Sequence, residues 1–247
     1  MTGTKLILAL VLTSLLFLAG CKERYSWYQI NTITIQTPNG PVSGTGTERV
    51  KLRISPNAVL SGPLGWTYWG EGAVVDLGNG KFVFALIELG TYDVWDIRKS
   101  YHPDVRIRIA LDRLELVPRL EIQNGKPWFN AMMDINYPIE LDGPEIPTLV
   151  AFKDINDPST ITELKSQANF HAVFGEGYSF VKAELEVVKE AKLQSQVLQA
   201  LPWVAAKRGS FTLSGMPCDV CNNGGKVDRN PYFGDVIGVR NFIRTQP

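Results

Sequence analysis

The cysteine pair Cys218 and Cys221 has the spacing of a disulfide, a redox-active dithiol or half of a zinc site. A redox-active pair usually places its first cysteine at a helix start, where the helix dipole favours the thiolate. Here the turn-forming sequence Asn222–Gly225 follows at once. Zinc needs two further ligands, and the two histidines of the chain, His102 and His171, are distant in sequence. The pattern predicts a structural disulfide and no metal site, with a redox role as an alternative.

The remaining chemistry-bearing residues do not form a recognisable catalytic motif. His102 and His171 could each act as a general base, but neither has a nucleophile in a motif context. Asp154, Asn156 and Asp157 offer oxygen ligands for calcium, yet the glycine and distal glutamate of a calcium loop are missing. The chain contains no Gly-x-Ser-x-Gly, His-Glu-x-x-His or Gly-x-x-x-x-Gly-Lys sequence. We therefore predict no catalytic residue and no cofactor.

The third cysteine, Cys21, lies at the end of an apolar N-terminal segment. Lys5 precedes the apolar run Leu6–Phe17, and Leu18–Cys21 closes it with small residues. This is the layout of a secretory signal peptide, and the run is shorter than the roughly 20 residues of a membrane-spanning helix. Leu18–Cys21 resembles the bacterial lipobox, in which the cysteine is acylated and becomes the first residue of the mature protein.

This resemblance implies a signal peptide over residues 1–20, a lipid-anchored tether over 21–26 and an envelope domain over 27–247. It also implies a diacylglycerol on the thiol of Cys21 and usually a third chain on its amine. Lys22, in place of the aspartate that signals inner-membrane retention, favours the outer membrane over the inner one, on the periplasmic side. An oxidising compartment would in turn favour the Cys218–Cys221 disulfide. A plain signal peptide or an uncleaved anchor are the alternatives.

The charge composition of the mature chain limits the classes of partner that it is expected to bind. The sequence has 25 basic and 25 acidic residues, and the first 20 residues contribute only Lys5. This balance argues against a nucleic-acid partner, which would need a clustered basic face. No run of five like charges occurs, which disfavours polybasic lipid binding. The lipid anchor is therefore the expected contact with the membrane.

Alternation of polar and apolar residues predicts a mainly β fold with antiparallel, sandwich-like sheets and one or two short helices. Trp27–Thr37 and Val42–Ile54 form a hairpin around the turn Pro38–Pro41. Ile33 and Ile35 are expected in the core. The returning strand should place Val50, Leu52 and Ile54 on one face and Arg49, Lys51 and Arg53 on the other.

Other segments carry further signals of strands, turns and short helices. Glu71–Leu77 and Lys81–Leu89 form a second hairpin around Gly78–Gly80, because Asn-Gly suits a turn with positive φ. Further strands are expected over Val105–Leu116 and Tyr178–Val188, and Gln123–Lys126 predicts a turn. Short helices are expected after Asp157, with Ser159 or Thr160 as cap, and over Gln194–Ala200. Gly44–Gly46 suggests a turn, and prolines near 138–147 suggest a sub-boundary.

Trp66, Tyr68 and Trp69 form the candidate binding surface, because aromatic rings on a glycine-rich loop can stack on sugars. The alternative places Trp66 and Tyr68 on one strand face, at the end of a β core. The predicted function is a non-catalytic binding or structural role in the cell envelope, with an envelope protein or peptidoglycan as partner. The alternative is a cell-wall hydrolase using carboxylates such as Glu71 or Asp76.

Three further segments resemble an uncharacterised family of lipoprotein-like proteins from alphaproteobacteria. They are Tyr25–Gln29 with its threonine-rich strand, Gly72–Leu77, and Asp154–Pro158 leading to Phe174–Gly177. The resemblance spans most of residues 21–203. It implies lipidation, and it implies no reaction because the family has no assigned activity.

Overall fold

The computed structural model describes residues 23–54, 64–87, 126–206 and 242–244. Within them, two antiparallel sheets confirm the predicted mainly β, sandwich-like class. Sheet 1 has the order β10-β3-β2-β1-β9-β6 and sheet 2 the order β4-β5-β7-β8. The strands are β1 Glu23–Thr37, β2 Gly40–Ile54, β3 Leu64–Glu71, β4 Val74–Gly78, β5 Lys81–Ala85, β6 Ile139–Leu141, β7 Leu149–Phe152, β8 Ile161–Glu163, β9 Ser179–Val188 and β10 Ile243–Arg244.

The helices are short. They are α1 Lys126–Met133, α2 Gln167–Phe174, α3 Gln196–Ala200 and α4 Trp203–Ala206, with 3-10 turns at Gly143–Glu145 and Pro158–Thr160. No helix in the described part of the chain is long and apolar enough to cross a bilayer.

The two predicted hairpins are present. β1 and β2 pair from Glu23–Ile54 to Thr37–Gly40, so the alternation of the sequence maps directly onto two faces. Ile33 and Ile35 are buried, as is Val50 opposite Trp27. In the second hairpin Asn79 and Gly80 have φ of 55° and 73°, the two positive angles of a type I′ turn.

Sheet 2 is buried on both faces, which gives the domain three layers. One set of alternate residues packs against sheet 1: Val75, Val83, Ala85, Leu149 and Ala151. The intervening set packs against Val197, Leu201 and Val204 of α3 and α4: Val74, Phe84, Leu86, Val150 and Phe152. Trp203 strengthens this second layer, because its indole Nε1 donates to the Ile155 carbonyl at 2.9 Å. Sheet 1 therefore has one core face and one outer face, and the candidate site described below lies on the outer face.

Gly44 and Gly46 lie inside β2, so the predicted turn there is wrong. A Cβ on Gly44 would lie 1.9 Å from the Val74 carbonyl oxygen, and one on Gly46 would lie 2.3 Å from the Gly72 carbonyl carbon. The main chains of β2 and β4 thus approach more closely than any side chain would allow. Glycine is needed here for this approach, and not for a turn.

The helices depart most from the sequence predictions. α1 begins at Lys126, the last residue of the predicted turn, and its Phe129 packs 5.0 Å from the Tyr25 ring, centroid to centroid. After Asp157 there is only a 3-10 turn, and Asp157 itself is the cap, its Oδ1 accepting from the Ser159 amide at 2.9 Å. Gln196–Ala200 confirms the second predicted helix in shortened form.

The helix α2 was not predicted. Ser166 caps it, and Asn169 Oδ1 accepts from the Ser166 amide at 3.1 Å, which completes a capping box. Ser179–Val188 confirms the predicted strand, with a register shift where it leaves Ile35. The segment near 138–147 contributes β6 to sheet 1. Val105–Leu116 and the turn residues 123–125 lie outside the described residues.

Candidate functional site

An open groove of about 580 Å³ lies beside the beginning of β1 on the outer face of sheet 1. Ser26, Tyr28 and Arg49 form one side, and residues 189–192 form the other. The strand register explains this arrangement. Tyr28 lies opposite Arg49 on β2 and opposite Val188 on β9, so the chain that leaves β9 runs directly past this pair.

Arg49 is held by three contacts. Its Cζ lies 5.4 Å from the centroid of the Tyr28 ring and 5.3 Å from that of Trp69. Its Nε donates to Ser26 Oγ at 3.2 Å. Two cation–π contacts and one hydrogen bond together restrain the guanidinium. Among the described residues, no carboxylate pairs with it, so the N–H donors of its two terminal nitrogens remain available to a ligand.

The Trp69 ring contacts two cations, Arg49 and Lys51. The Lys51 Nζ lies 4.7 Å from its ring centroid, and the Trp69 side chain is only 4% exposed. Trp69 is therefore not a ring presented to solvent, as the candidate binding surface required, and it lies in a strand and not in a loop. Trp66 and Tyr68 lie on β3 opposite Leu52 and Val50, and their side chains are outside the described part. Their role in a surface stays a prediction.

The groove is electropositive. Arg49, Lys189 and Lys192 line it together with one carboxylate, Glu190, whereas the whole chain has equal numbers of basic and acidic residues. Both lysines are exposed. A guanidinium with two free terminal nitrogens binds a carboxylate or phosphate through two parallel hydrogen bonds. The arrangement is suited to hold an oxyanion.

Sequence reasoning identified only part of this groove. It placed Arg49 and Lys51 together on the polar face of one strand. It did not join them to Lys189 and Lys192, because the linear sequence contains no long basic run. Only the pairing of β9 with β1 brings the two segments together.

Glu71, one of the carboxylates considered for hydrolysis, has a structural role. It is fully buried, and its two oxygens accept from the amides of Gln196 and Val197 at 2.8 and 3.0 Å. It therefore caps the beginning of α3. Burial raises the pKa of Glu71, and the two backbone hydrogen bonds oppose that rise. The other candidate, Asp76, is exposed and accepts from the Gly78 amide within the hairpin turn.

The residues considered for calcium also serve local structure. Asp154 Oδ1 accepts from the Asn156 amide at 2.9 Å, and Asp157 caps the turn that follows it. Within 23–54, 64–87, 126–206 and 242–244, no group of three or more His, Cys, Asp or Glu residues could hold a metal ion.

His171, on α2, is exposed, and its Nε2 lies 2.6 Å from Gln167 Nε2. His102, Cys21, Cys218 and Cys221 lie outside the described residues, so the predicted lipidation and disulfide remain predictions.

A buried polar row was missed by sequence reasoning. Gln29 and Asn31 are each 1% exposed on the core face of β1, with Glu48 opposite Gln29 on β2. Asn31 Nδ2 donates to Glu48 Oε1 at 3.4 Å. The side-chain amide of Gln29 has no hydrogen-bond partner among the described residues. Its position at alternate spacing with Trp27 and Ile33 is the signal that could have placed it in the core.

Comparison of the chain with protein-family models, with curated proteins and with solved structures finds no match. The groove is therefore interpreted from its own chemistry.

Proposed function

We propose that this protein is a membrane-anchored bacterial lipoprotein with a non-catalytic binding role in the cell envelope, and that the cationic groove is its contact site. The N-terminal layout supports the anchor: an apolar run closed by Leu18–Cys21. The groove supports the binding role, because it combines an oriented guanidinium with two exposed lysines.

The short distance along the chain between Cys21 and the groove supports a lipid anchor and a binding site that act together. β1 begins at Glu23, two residues after Cys21. Ser26, which lines the groove, is five residues after Cys21, so an extended chain spans at most about 17 Å between them. A lipid on Cys21 would therefore hold the groove close to the membrane surface.

The single observation that carries the proposal is that the Arg49 guanidinium is already held in place by neighbouring side chains. A guanidinium that is already stacked and oriented loses little conformational freedom when a ligand arrives. The side chains that hold it come from two strands, Ser26 and Tyr28 from β1 and Trp69 from β3, and none is a catalytic base or nucleophile in this arrangement. Such a site is suited to recognition by contact.

The anchor is tested by Cys21→Ser. We expect this variant to appear in the soluble envelope fraction, or to remain an unprocessed precursor, while Cys218→Ser stays in the membrane fraction. The intact mass of the purified mature protein should correspond to a chain beginning at Cys21 with added acyl groups. A mature chain beginning elsewhere, without acyl mass, would refute the anchor.

The contact role is tested by a photo-cross-linking residue at Lys189, with the same residue at Glu140 as control. Glu140 is exposed on β6 and does not line the groove. Envelope components should be captured from Lys189 and not from Glu140. Hydrolysis of wall fragments by the purified protein, abolished by one Asp or Glu substitution, would instead favour the hydrolase.

A further inference from the structure

We propose that the groove binds the phosphate of anionic phospholipid head groups in the membrane that anchors the protein. This inference rests on the proposed function, since the lipid on Cys21 is what would bring the groove to that surface. The ligand chemistry is a phosphate diester, and the structure offers four arguments for it.

The geometry of Arg49 leaves its terminal nitrogens unused. Its Nε donates to Ser26 Oγ, and its Cζ lies over the faces of the Tyr28 and Trp69 rings. The unused donors are therefore the terminal N–H groups at the end of the side chain. Two such donors match two oxygens of one phosphate, and a fixed fork gives this contact both strength and orientation.

Further cations surround the free end of Arg49. Lys189 and Lys192 are exposed on the opposite side of the groove, and Lys51 lies beyond Trp69. These side chains are flexible point charges that attract phosphate without demanding one geometry. One carboxylate, Glu190, lines the same groove, so the three lining cations leave a local excess of two positive charges. Cations near an anionic leaflet each strengthen adsorption.

Charge is unevenly distributed along sheet 1. Beyond Tyr28, β1 lies beside Glu186 and then Glu184 of β9, and Glu140 of β6 lies opposite Glu184. These acidic residues are about 7 and 14 Å further along the strand, at ~3.4 Å per residue. Lys182 pairs with Glu184 at 2.8 Å, so one of these acidic charges is balanced, and the remaining ones leave this part of the sheet net negative. The same sheet is thus basic near the beginning of β1 and net acidic further away. An anionic surface would attract the first end and repel the second.

The basic character of the groove continues along the strands towards the anchor. Towards the N-terminus, the next cross-strand pairs after Tyr28–Arg49 are Ser26–Lys51 and Arg24–Arg53. Basic residues therefore continue along β2 in the direction of Cys21. The two or three acyl chains expected on Cys21 would already hold the protein stably, and a basic patch beside them adds attraction to anionic lipid. The groove would orient an anchored domain as well as retain it.

The test uses the full mature protein, purified in a non-ionic detergent. Mixed micelles containing phosphatidylglycerol are titrated into it, with binding followed by tryptophan fluorescence. Phosphatidylcholine, whose phosphate is neutralised by a cation, is the control lipid, and inorganic phosphate is titrated separately. We expect saturable binding of phosphatidylglycerol that weakens with added salt, and much weaker binding of the other two.

Four variants test the residues. Arg49→Gln should weaken phosphatidylglycerol binding by about tenfold or more, and Arg49→Lys should fall between it and wild type, because it keeps the charge but loses the fork. Lys189→Gln combined with Lys192→Gln should weaken binding about fivefold for each lysine, and both side chains are exposed, so folding should be preserved. Lys165→Gln, an exposed lysine outside the groove, should bind like wild type.

Three results would overturn the inference. Binding unchanged in Arg49→Gln and in the double lysine variant would remove the groove from the interaction. Equal affinity for inorganic phosphate and phosphatidylglycerol would assign the groove to a free anion. Equal affinity for both lipids would assign binding to the acyl region. The mass of the mature chain is measured independently, so a failure of the anchor is distinguished from a failure of the groove.

Discussion

Substituting alanine for Gly46 tests how closely the two sheets approach each other. Gly46 faces sheet 2 from β2, and a Cβ built there would lie 2.3 Å from the Gly72 carbonyl carbon and 2.4 Å from the Ala73 nitrogen. Ordinary contacts of such atoms begin at 3.4 Å. Both neighbours are backbone atoms, so no side chain can rotate away. The main chains must therefore separate locally by about 1 Å to restore normal van der Waals contact.

The cost of that separation has two parts. Overpacking of a well-packed core costs typically ~1–3 kcal/mol. A gap of 0.5–1 Å between neighbouring atoms also forfeits about a quarter to a half of their dispersion attraction. We expect Gly46→Ala to lower the free energy of unfolding by about 3 kcal/mol or more, a large fraction of the ~5–15 kcal/mol of a typical domain.

Urea unfolding followed by circular dichroism measures this loss. Ser43→Ala is the matched control, because Ser43 is exposed on the same strand and loses only its contact with Thr34 Oγ1. That control should cost about 1 kcal/mol or less. A Gly46→Ala protein within ~1 kcal/mol of wild type would show that glycine is not required at this crossing, and the account of the glycine-lined approach would be refuted.

Three further predictions concern single groups. Burial raises the pKa of Glu71 above its usual 4.5, so the charged form is disfavoured in the folded protein. The wild-type protein should therefore lose stability relative to Glu71→Gln as the pH rises from 4.5 through the raised pKa. Urea unfolding measured from acid to neutral pH tests this, and the opposite trend would contradict it. Gln29→Leu removes a buried amide without a partner among the described residues, so urea unfolding should show stability unchanged or raised by ~1 kcal/mol; a loss above ~1 kcal/mol would reveal a bond to that amide. Cys218 and Cys221 should resist alkylation until a reductant is added, and full labelling without reductant would exclude the disulfide.

The long strands of sheet 1 could be predicted from the sequence because one face of each is buried in the core and the other faces outward. In β1 this gives the alternation that placed Ile33 and Ile35 correctly, since a slip of one residue would expose both. The second hairpin was equally accessible, because Asn79 and Gly80 adopt positive φ at low cost. Both signals, the alternation and the Asn-Gly turn, depend only on residues that are close together in the sequence.

The missed features depend on contacts between distant segments. Gly44 and Gly46 suggest a turn in isolation, and only the approach of β4 explains them. α2 presents only two buried aromatic residues, Phe170 and Phe174, which is too little periodicity to predict a helix. Glu71 caps a helix that begins 125 residues later in the chain. No pattern in the local sequence indicates a hydrogen-bond partner at that separation.

The groove was missed for the same reason. The polar face of β2 was predicted, but the lysines that complete the groove follow β9. The distribution of charge along the sequence favoured the acyl anchor as the sole membrane contact. The distribution across the sheet leads to the groove as a proposed second contact, because antiparallel pairing aligns residues that are distant in the chain.

The segment between β9 and α3 forms one wall of the groove and also leads into the helix layer. Gln194 Nε2 donates to Thr45 Oγ1 at 3.1 Å, and immediately beyond it Glu71 accepts from Gln196 and Val197. Lifting this segment from the sheet would break those bonds before the rest of the fold opened. Hydrogen exchange at the amides of Gln196 and Val197 therefore reports local opening of the segment. A ligand that bridges Arg49 and Lys192 would slow that exchange by holding the segment against the sheet, so occupancy of the groove could be followed at amides that never touch the ligand.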